Sequence, residues 1–324
     1  MRFYYYSLFL FIILGSSLYS KTEIRRKVSA EKAYFYRKPY LDTKKSSYLL
    51  KGQEFAVHKT RTAWLYTEYT NEKGKITKGW INEFDVYLYE IVSVENVGVY
   101  ADTSFTFTKL KYYPNKSILS QLNQQFRNLT ISLSKEFITD KEVKESLEET
   151  QDLERISALI ENYDHGVVKD SKPVKFHYKI NQEVVLLKKN IMVIKMTKLI
   201  DQGDENSKLT TQFYNYNMAT AKQLELQDLF PPNYEVELKN HAIEHIQSNF
   251  QDECIKKTLS ELKFQLTNNF FIENEGLGFY YNSQEFSPGC KQDISFMIPY
   301  KKIANLILLG GPIGWTVPLE NNTQ

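Results

Sequence analysis

The residues with the sharpest chemical pattern are His241-Ala242-Ile243-Glu244-His245, an H-x-x-E-H run. On a helix that spacing sets His241 and His245 one turn apart, where two imidazoles can share a metal ion with a glutamate as base. A metal-dependent hydrolase is therefore one reading of the chain. Against it, a pattern this short arises by chance, both histidines fall on a helix shoulder away from Leu238 and Ile246, and no third ligand is indicated. The remaining titratable groups suggest less. Glu148-Glu149 and Asp204-Glu205 read as exposed helix or loop positions, and His165 and His177 lack a neighbouring nucleophile. His58 reads as an ordinary strand residue. Gly310-Gly311-Pro312 lacks the lysine and following helix of a phosphate-cradling loop.

A second set of residues suits binding instead of catalysis. Tyr36, Trp64, Tyr66 and Trp80 recur in short alternating runs and could line an aromatic groove for a peptide or glycan, although in a small barrel at least half of such rings are expected in the core. The chain has two cysteines, Cys254 and Cys290. In an oxidising compartment an even count points to one disulfide, the alternative being two buried thiols.

The bulk numbers limit the partners. The 324 residues carry 41 basic and 39 acidic side chains, a net charge of +2, so no long-range field gathers nucleic acid or an anionic membrane. The length suits two domains. Met1-Arg2, the apolar run Phe3 to Leu14 and then Gly15-Ser16-Ser17 have the layout of a signal peptide over residues 1–20, with cleavage expected after Ser17 or Ser20 and an uncleaved anchor as the alternative. The apolar run is short for a membrane span. The expected location is extracytoplasmic, periplasmic or secreted.

The elements that must position these residues change character along the chain. Residues 28–92 alternate apolar and polar in short runs, with Asn71-Glu72-Lys73-Gly74-Lys75 as the clearest hairpin turn, and a domain boundary is expected near Ser93. Ile118, Leu122, Phe126, Leu129 and Leu133 then recur at helical spacing. Thr139-Asp140-Lys141-Glu142 has a capping-box pattern opening a second helix to about Asn162. From Pro173 to Asp201 the period falls to two, which predicts an antiparallel meander, and Gln212 to Asn217 is a further strand. Pro231-Pro232-Asn233 starts a helix with Leu238, Ala242, Ile246 and Phe250 on its core side. Phe264 to Tyr300 reads as strand, tight turn, strand, irregular loop, strand.

Two resemblances add to this. KAYFYRKP, YLLKGQEFAV, WLYTEYTNEKGKITKGWI and Glu83-Phe84-Asp85-Val86 resemble a bacterial SH3-like domain, which implies a small barrel reading cell-wall or peptide ligands, without catalysis. FYNYNMATAKQLELQDLF, GLGFYYN, Glu285 and ISFMIPYKKI resemble the extracytoplasmic domain of unknown function at the C-terminus of the anti-sigma factor RsiV and in the deacetylase PdaC, over about residues 97–309. In RsiV that domain binds lysozyme, which implies protein recognition. Ser283-Gln284 stand where the family commonly has Pro-Tyr, so Gln284, Glu285 and Phe286 are the candidate partner-binding residues of a loop expected to be tied to Cys254 through Cys290.

The resulting expectation is an N-terminal small all-β SH3-like barrel, a C-terminal α+β domain with an antiparallel sheet and packed helices, and a tail from residue 310 to 324. The expected function is an exported, non-enzymatic binding protein for a cell-wall glycan or peptide, or for a secreted protein, with no cofactor. The alternatives are the His241/His245 hydrolase and a passive envelope scaffold.

Overall fold

The computed structural model describes residues 21–98, 100–138, 141, 144, 145, 150–162, 168, 169, 172, 173, 175–201, 207–260 and 264–317. The expectations for the signal peptide, the Thr139 capping box, His165, Glu148-Glu149 and Asp204-Glu205 lie outside the described residues, in whole or for the box in its Thr, Asp and Glu. The chain falls into two compact units, Met1–Gln182 with Lys198–Leu209, and Glu183–Thr197 with Thr210–Gln324.

The first unit opens with nine strands: β1 (Lys21–Lys27), β2 (Lys32–Tyr36), β3 (Lys44–Leu50), β4 (Glu54–Ala56), β5 (Lys59–Arg61), β6 (Trp64–Thr70), β7 (Ile76–Asn82), β8 (Tyr89–Val97) and β9 (Ala101–Leu110). Five of them form a sheet in the order β3-β2-β7-β6-β5. The hairpin between β6 and β7 is the one the sequence predicts: Asn71 Oδ1 accepts from the Lys73 and Lys75 amides, and Gly74 takes φ +73°. Alternation along the strands sends Ala33, Phe35, Leu49, Leu65 and Ile81 into a core shared with Val28, Phe55 and Val86.

This sheet closes no barrel among the described strands, because β4 pairs with β1, Arg25 facing Ala56 and Lys27 facing Glu54. Arg26 on β1 is buried there. It donates to Glu83 Oε1 at 3.0 Å and to the Tyr87 carbonyl at 2.8 Å, so its guanidinium joins the start of the chain to the segment after β7. No break occurs at Ser93, which sits buried within β8; that strand pairs continuously with β9 from Tyr89 to Val97.

After β9 comes the helix Lys116–Lys135, capped by Asn115 Oδ1 on the Ser117 and Ile118 amides and burying Leu122, Phe126 and Ile131. The helix Leu153–Asn162 follows, burying Ile156 and Ile160, and Asp152 Oδ1 accepts from the amides of Glu154 and Arg155 at its start. Two short strands, β10 (Val168–Lys169) and β11 (Lys172–Pro173), precede β12 (Phe176–Lys188). β12 pairs with β9 in parallel, Phe176 facing Ala101. This parallel pairing lies outside the meander expected for residues 173–201, and its physical reason is the intervening helical crossover, which returns the chain to the same end of the sheet. Buried Gln182 secures the layer: it accepts from the Thr108 amide and donates to the Phe126 carbonyl and Thr130 Oγ1.

The predicted period-two region holds fewer and longer strands than expected. A turn at Lys189 and Asn190, with Lys189 at φ 55°, joins β12 to β13 (Ile191–Asp201). β14 (Lys208–Asn217) and β15 (Lys222–Leu224) complete a mixed sheet of order β15-β14-β13-β12-β9-β8-β1-β4. The second unit then adds helices Glu235–Asn249 and Glu253–Ser260 and an antiparallel sheet of β16 (Phe270–Ile272), β17 (Gly276–Tyr281) and β18 (Ile294–Pro299). Leu238, Ala242 and Ile246 bury the predicted face of the first of these helices.

Three buried asparagines join β14 to the small sheet in place of a backbone ladder. Asn215 donates to the Phe270 carbonyl and accepts from the Ile272 amide. Asn269 does the same for the Thr211 carbonyl and the Phe213 amide, and Asn282 pairs with Thr211 through both its amide atoms. A side-chain amide carries the same donor and acceptor as a peptide unit, so each Asn replaces one rung of pairing. Gly278 is required for packing: a Cβ there would lie 2.1 Å from the ring of Phe271, which covers it and contacts Phe213.

Candidate functional site

The four sequence-predicted aromatic residues share one face. Cross-strand register sets Tyr36 opposite Trp80, Trp80 opposite Tyr66, and Trp64 beside Asn82, all on the side of the five-stranded sheet turned away from its core. Tyr36 meets Trp64 edge-on with centroids 4.8 Å apart, and Tyr66 meets Trp80 at 5.3 Å. At least half were expected in the core; none belongs to the core cluster of this sheet, and of the four Tyr36 alone is buried. An open sheet has two faces, and its core is already filled from the other one. Tyr36 is 7% exposed because its neighbours crowd it, and burial, followed by Asp85 and Tyr34, raises its phenol above the ordinary range.

The same face holds residues the sequence reading did not select. Tyr34 pairs edge-on with Tyr48 at 5.5 Å, with Lys44 Nζ 3.4 Å above the Tyr34 ring and Lys32 Nζ 4.6 Å above that of Tyr48. Lys59 stands opposite Tyr66 and Arg61 opposite Trp64, while Lys78 pairs with Glu68 at 2.8 Å. An open cavity of about 610 Å³ lies over these rings, lined by His58, Lys59, Tyr66, Glu68 and Trp80. His58, expected as a strand residue, instead lies in the link between β4 and β5.

The loop after β17 is pinned as expected. Cys254 and Cys290 form a disulfide across a sequence separation of 36. The loop's three candidate residues have separate roles. Gln284 is exposed at φ 69°, its amide donating to the Cys290 carbonyl at 2.8 Å. Glu285 Oε2 accepts from the Asn282 backbone amide at 2.7 Å and from the Asn282 side chain at 3.1 Å, so it holds the turn. Phe286 points inward at 6% exposure, 5.4 Å from the ring of Phe264 and 5.1 Å from that of Tyr281.

His241 and His245 lie on one helix with separate neighbours. His241 lies between Glu237 at 3.9 Å and Glu244 at 3.8 Å. His245 packs against the Phe296 ring; burial, then the Lys302 ammonium, holds its imidazole below the ordinary range. That ammonium opposes a cation at His245. Among the described residues no group of three or more His, Cys, Asp or Glu is arranged to hold a metal. His177 pairs with Asp102 at 3.4 Å.

The helices, the disulfide and the small sheet just described all fall in one region that other proteins share. Residues 227–301 match the family model "Protein of unknown function (DUF3298)". This C-terminal part of the chain is similar to that family. A solved DUF3298-family structure from Bacteroides fragilis NCTC 9343 is 18% identical, with a TM-score of 0.50, and the match covers 71% of this chain and 96% of that one. Another, from Pseudomonas aeruginosa PAO1, is 15% identical with a TM-score of 0.48, covering 68% and 94%. No curated protein matches. The Bacteroides likeness shows a shared fold. Among the described residues no helix is long and apolar enough to cross a membrane.

A site that sequence reasoning missed entirely lies beside β14 and β15. Two adjoining cavities, of about 300 and 450 Å³, meet at Gln212 and Asn268. They gather residues from four separate stretches of chain, within 212–215, 223–234, 265–270 and 281–285, and no local spacing signals them.

Proposed function

We propose that the protein is an exported, non-enzymatic binding protein whose N-terminal, SH3-like module holds an anionic cell-wall peptide or glycopeptide on its aromatic face. The carrying observation is that Tyr34, Tyr36, Tyr48, Trp64, Tyr66 and Trp80 occupy the outer side of a sheet whose core lies on the other side. All of them but Tyr36 keep part of the ring exposed, which gives planar contact area at small entropic cost. Lys32, Lys44, Lys59 and Arg61 border them and favour a ligand carrying carboxylates. The Cys254–Cys290 bond supports residence in an oxidising compartment, as does the signal-like run before residue 20.

Co-sedimentation with purified peptidoglycan tests the reading. The full chain pellets with the wall, and Trp80→Ala with Tyr66→Ala releases it while far-UV circular dichroism stays unchanged. Equal pelleting of the variant overturns the assignment of this face, and failure of the unaltered chain to pellet leaves the scaffold reading in its place.

A further inference from the structure

The paired cavities beside β14 and β15 have a lining unlike that of the aromatic face. One is lined by Gln223, Glu225, Gln227 and Tyr234 over Phe213 and Phe270, the other by Gln265, Thr267, Tyr281 and Glu285, and both contain Gln212 and Asn268. No lysine or arginine lines either. The walls are held from behind: Asn215, Asn269 and Asn282 fix the backbone there, and Glu285 is occupied with the Asn282 turn. Gln212, Gln223 and Asn268 differ from them. Among the described residues their side-chain amides make no hydrogen bond within the protein.

Each free amide offers an acceptor and two donors without net charge. A ligand suited to several of them must itself present donors and acceptors side by side without a formal charge. Sugar hydroxyls and acetamido groups do so, and the half-buried ring of Tyr234, with the buried Phe213 and Phe270 behind it, suits the C–H face of a pyranose. An extended peptide fits less well, because it would add through backbone pairing. Along β14 the Thr211 and Phe213 amides and the Thr211 carbonyl are already taken by Asn282 and Asn269. Two cavities that share Gln212 and Asn268 as lining residues offer room for more than one sugar ring, which suits a short chain of sugars better than a single ring.

We propose that this groove binds a short neutral oligosaccharide, with Gln212 and Asn268 at its centre. The site is separate from the aromatic face and stands or falls without it.

The test titrates the full chain with the neutral β-1,4-linked tetramer of N-acetylglucosamine, and in parallel with cellotetraose, by isothermal titration calorimetry. Saturable binding of either sugar is expected. Gln212→Ala and Asn268→Ala each weaken it about three- to tenfold, the loss of one or two neutral hydrogen bonds. Both positions make no internal side-chain bond, so the variants keep the fold, which an unchanged amide NMR spectrum away from the groove verifies. Trp80→Ala leaves sugar binding intact, so failure at the aromatic face and failure here are told apart. Absence of saturable heat with both sugars overturns the proposal. So does binding that survives both substitutions, and so does a neutral extended hexapeptide that binds at Asn268 when neither sugar does.

Discussion

The aromatic face of the five-stranded sheet and the amide-lined groove beside β14 are both concave and solvent-facing, yet they are built in different ways. The face arises from neighbours in short strands, where Tyr36, Trp80 and Tyr66 fall side by side through register alone. Its chemistry is rings and cations. The groove arises from stretches around residues 212, 223 and 268 that only the tertiary fold brings together, and its chemistry is amides with two carboxylates, Glu225 and Glu285, and no cation. The contrast extends to what supports each. A buried arginine, Arg26, anchors the segment after β7 next to the face, while buried asparagines and a disulfide hold the unit that contains the groove. A surface made by local alternation can change its ligand one residue at a time; a surface made by long-range ties changes only if the ties survive.

The largest expected effect tests those ties. Reducing the disulfide, or making Cys254→Ser with Cys290→Ser, removes a constraint worth roughly 3–4 kcal/mol on the chain-entropy account. Hydrogen exchange should then rise across β16, β17 and β18 while β6 and β7 keep their protection. Equal loss in both sets would erase the distinction between the two kinds of support. Next comes Asn215→Ala. It leaves the Phe270 carbonyl and the Ile272 amide without partners in a buried setting, a loss of about 2–4 kcal/mol measurable by denaturant unfolding. Asn215→Asp, which keeps the acceptor for Ile272 but loses the donor to Phe270, would show which half matters more.

The same comparison explains what could be read in advance. Alternation in Ala33 to Tyr36 and Trp64 to Tyr69 shows which side chains share a face. It does not show which face is covered, and Phe35, Leu65 and Ile81 fill the core that at least half of Tyr36, Trp64, Tyr66 and Trp80 were expected to share. The H-x-x-E-H run gives the correct helix, but Phe296 and Lys302, which decide the environment of His245, lie more than fifty residues further along. Phe286 was expected at a binding surface because its loop departs from related sequences. The loop's own bonds, Gln284 amide to the Cys290 carbonyl and Ser283 amide to Asp293, turn that ring inward toward Phe264. Parallel pairing of β9 with β12 is invisible at short range, since it depends on the helices between them. The cysteine pair was legible because two cysteines leave one intramolecular pairing.

A smaller effect separates the two regions by pH. Burial raises the phenols of Tyr216, Tyr281 and Tyr300 well above the ordinary value near 10, with hydrogen bonds to Tyr281 and Tyr300 acting in the opposite direction. The folded state holds these protons more tightly than the unfolded chain does. Their contribution is therefore fully present below about pH 10 and is lost as pH rises beyond it, by about 1 kcal/mol per tyrosine near pH 11. All three lie in the second unit. Alkaline unfolding followed by hydrogen exchange should loosen β14 and β17 before β6, and Tyr281→Phe should reduce the pH dependence; simultaneous loosening would count against the assignment.

The smallest expected effect contrasts the ligands most directly. A carboxylate-bearing peptide on the aromatic face gains from Lys32, Lys44, Lys59 and Arg61, all at or near the surface, and contacts of that kind contribute about 0.2–1 kcal/mol each and are screened by salt. Raising ionic strength from 0.05 to 0.5 M, as a chosen titration range from about 14 to about 4 Å of screening length, should weaken wall-peptide binding several-fold. Lys59→Gln should flatten that dependence without abolishing affinity, because the rings remain. The amide groove has no cation to screen, so binding of a neutral tetrasaccharide should change little over the same range. If the two ligands respond alike to salt, charge does not distinguish the regions, and the rings common to both must carry the affinity.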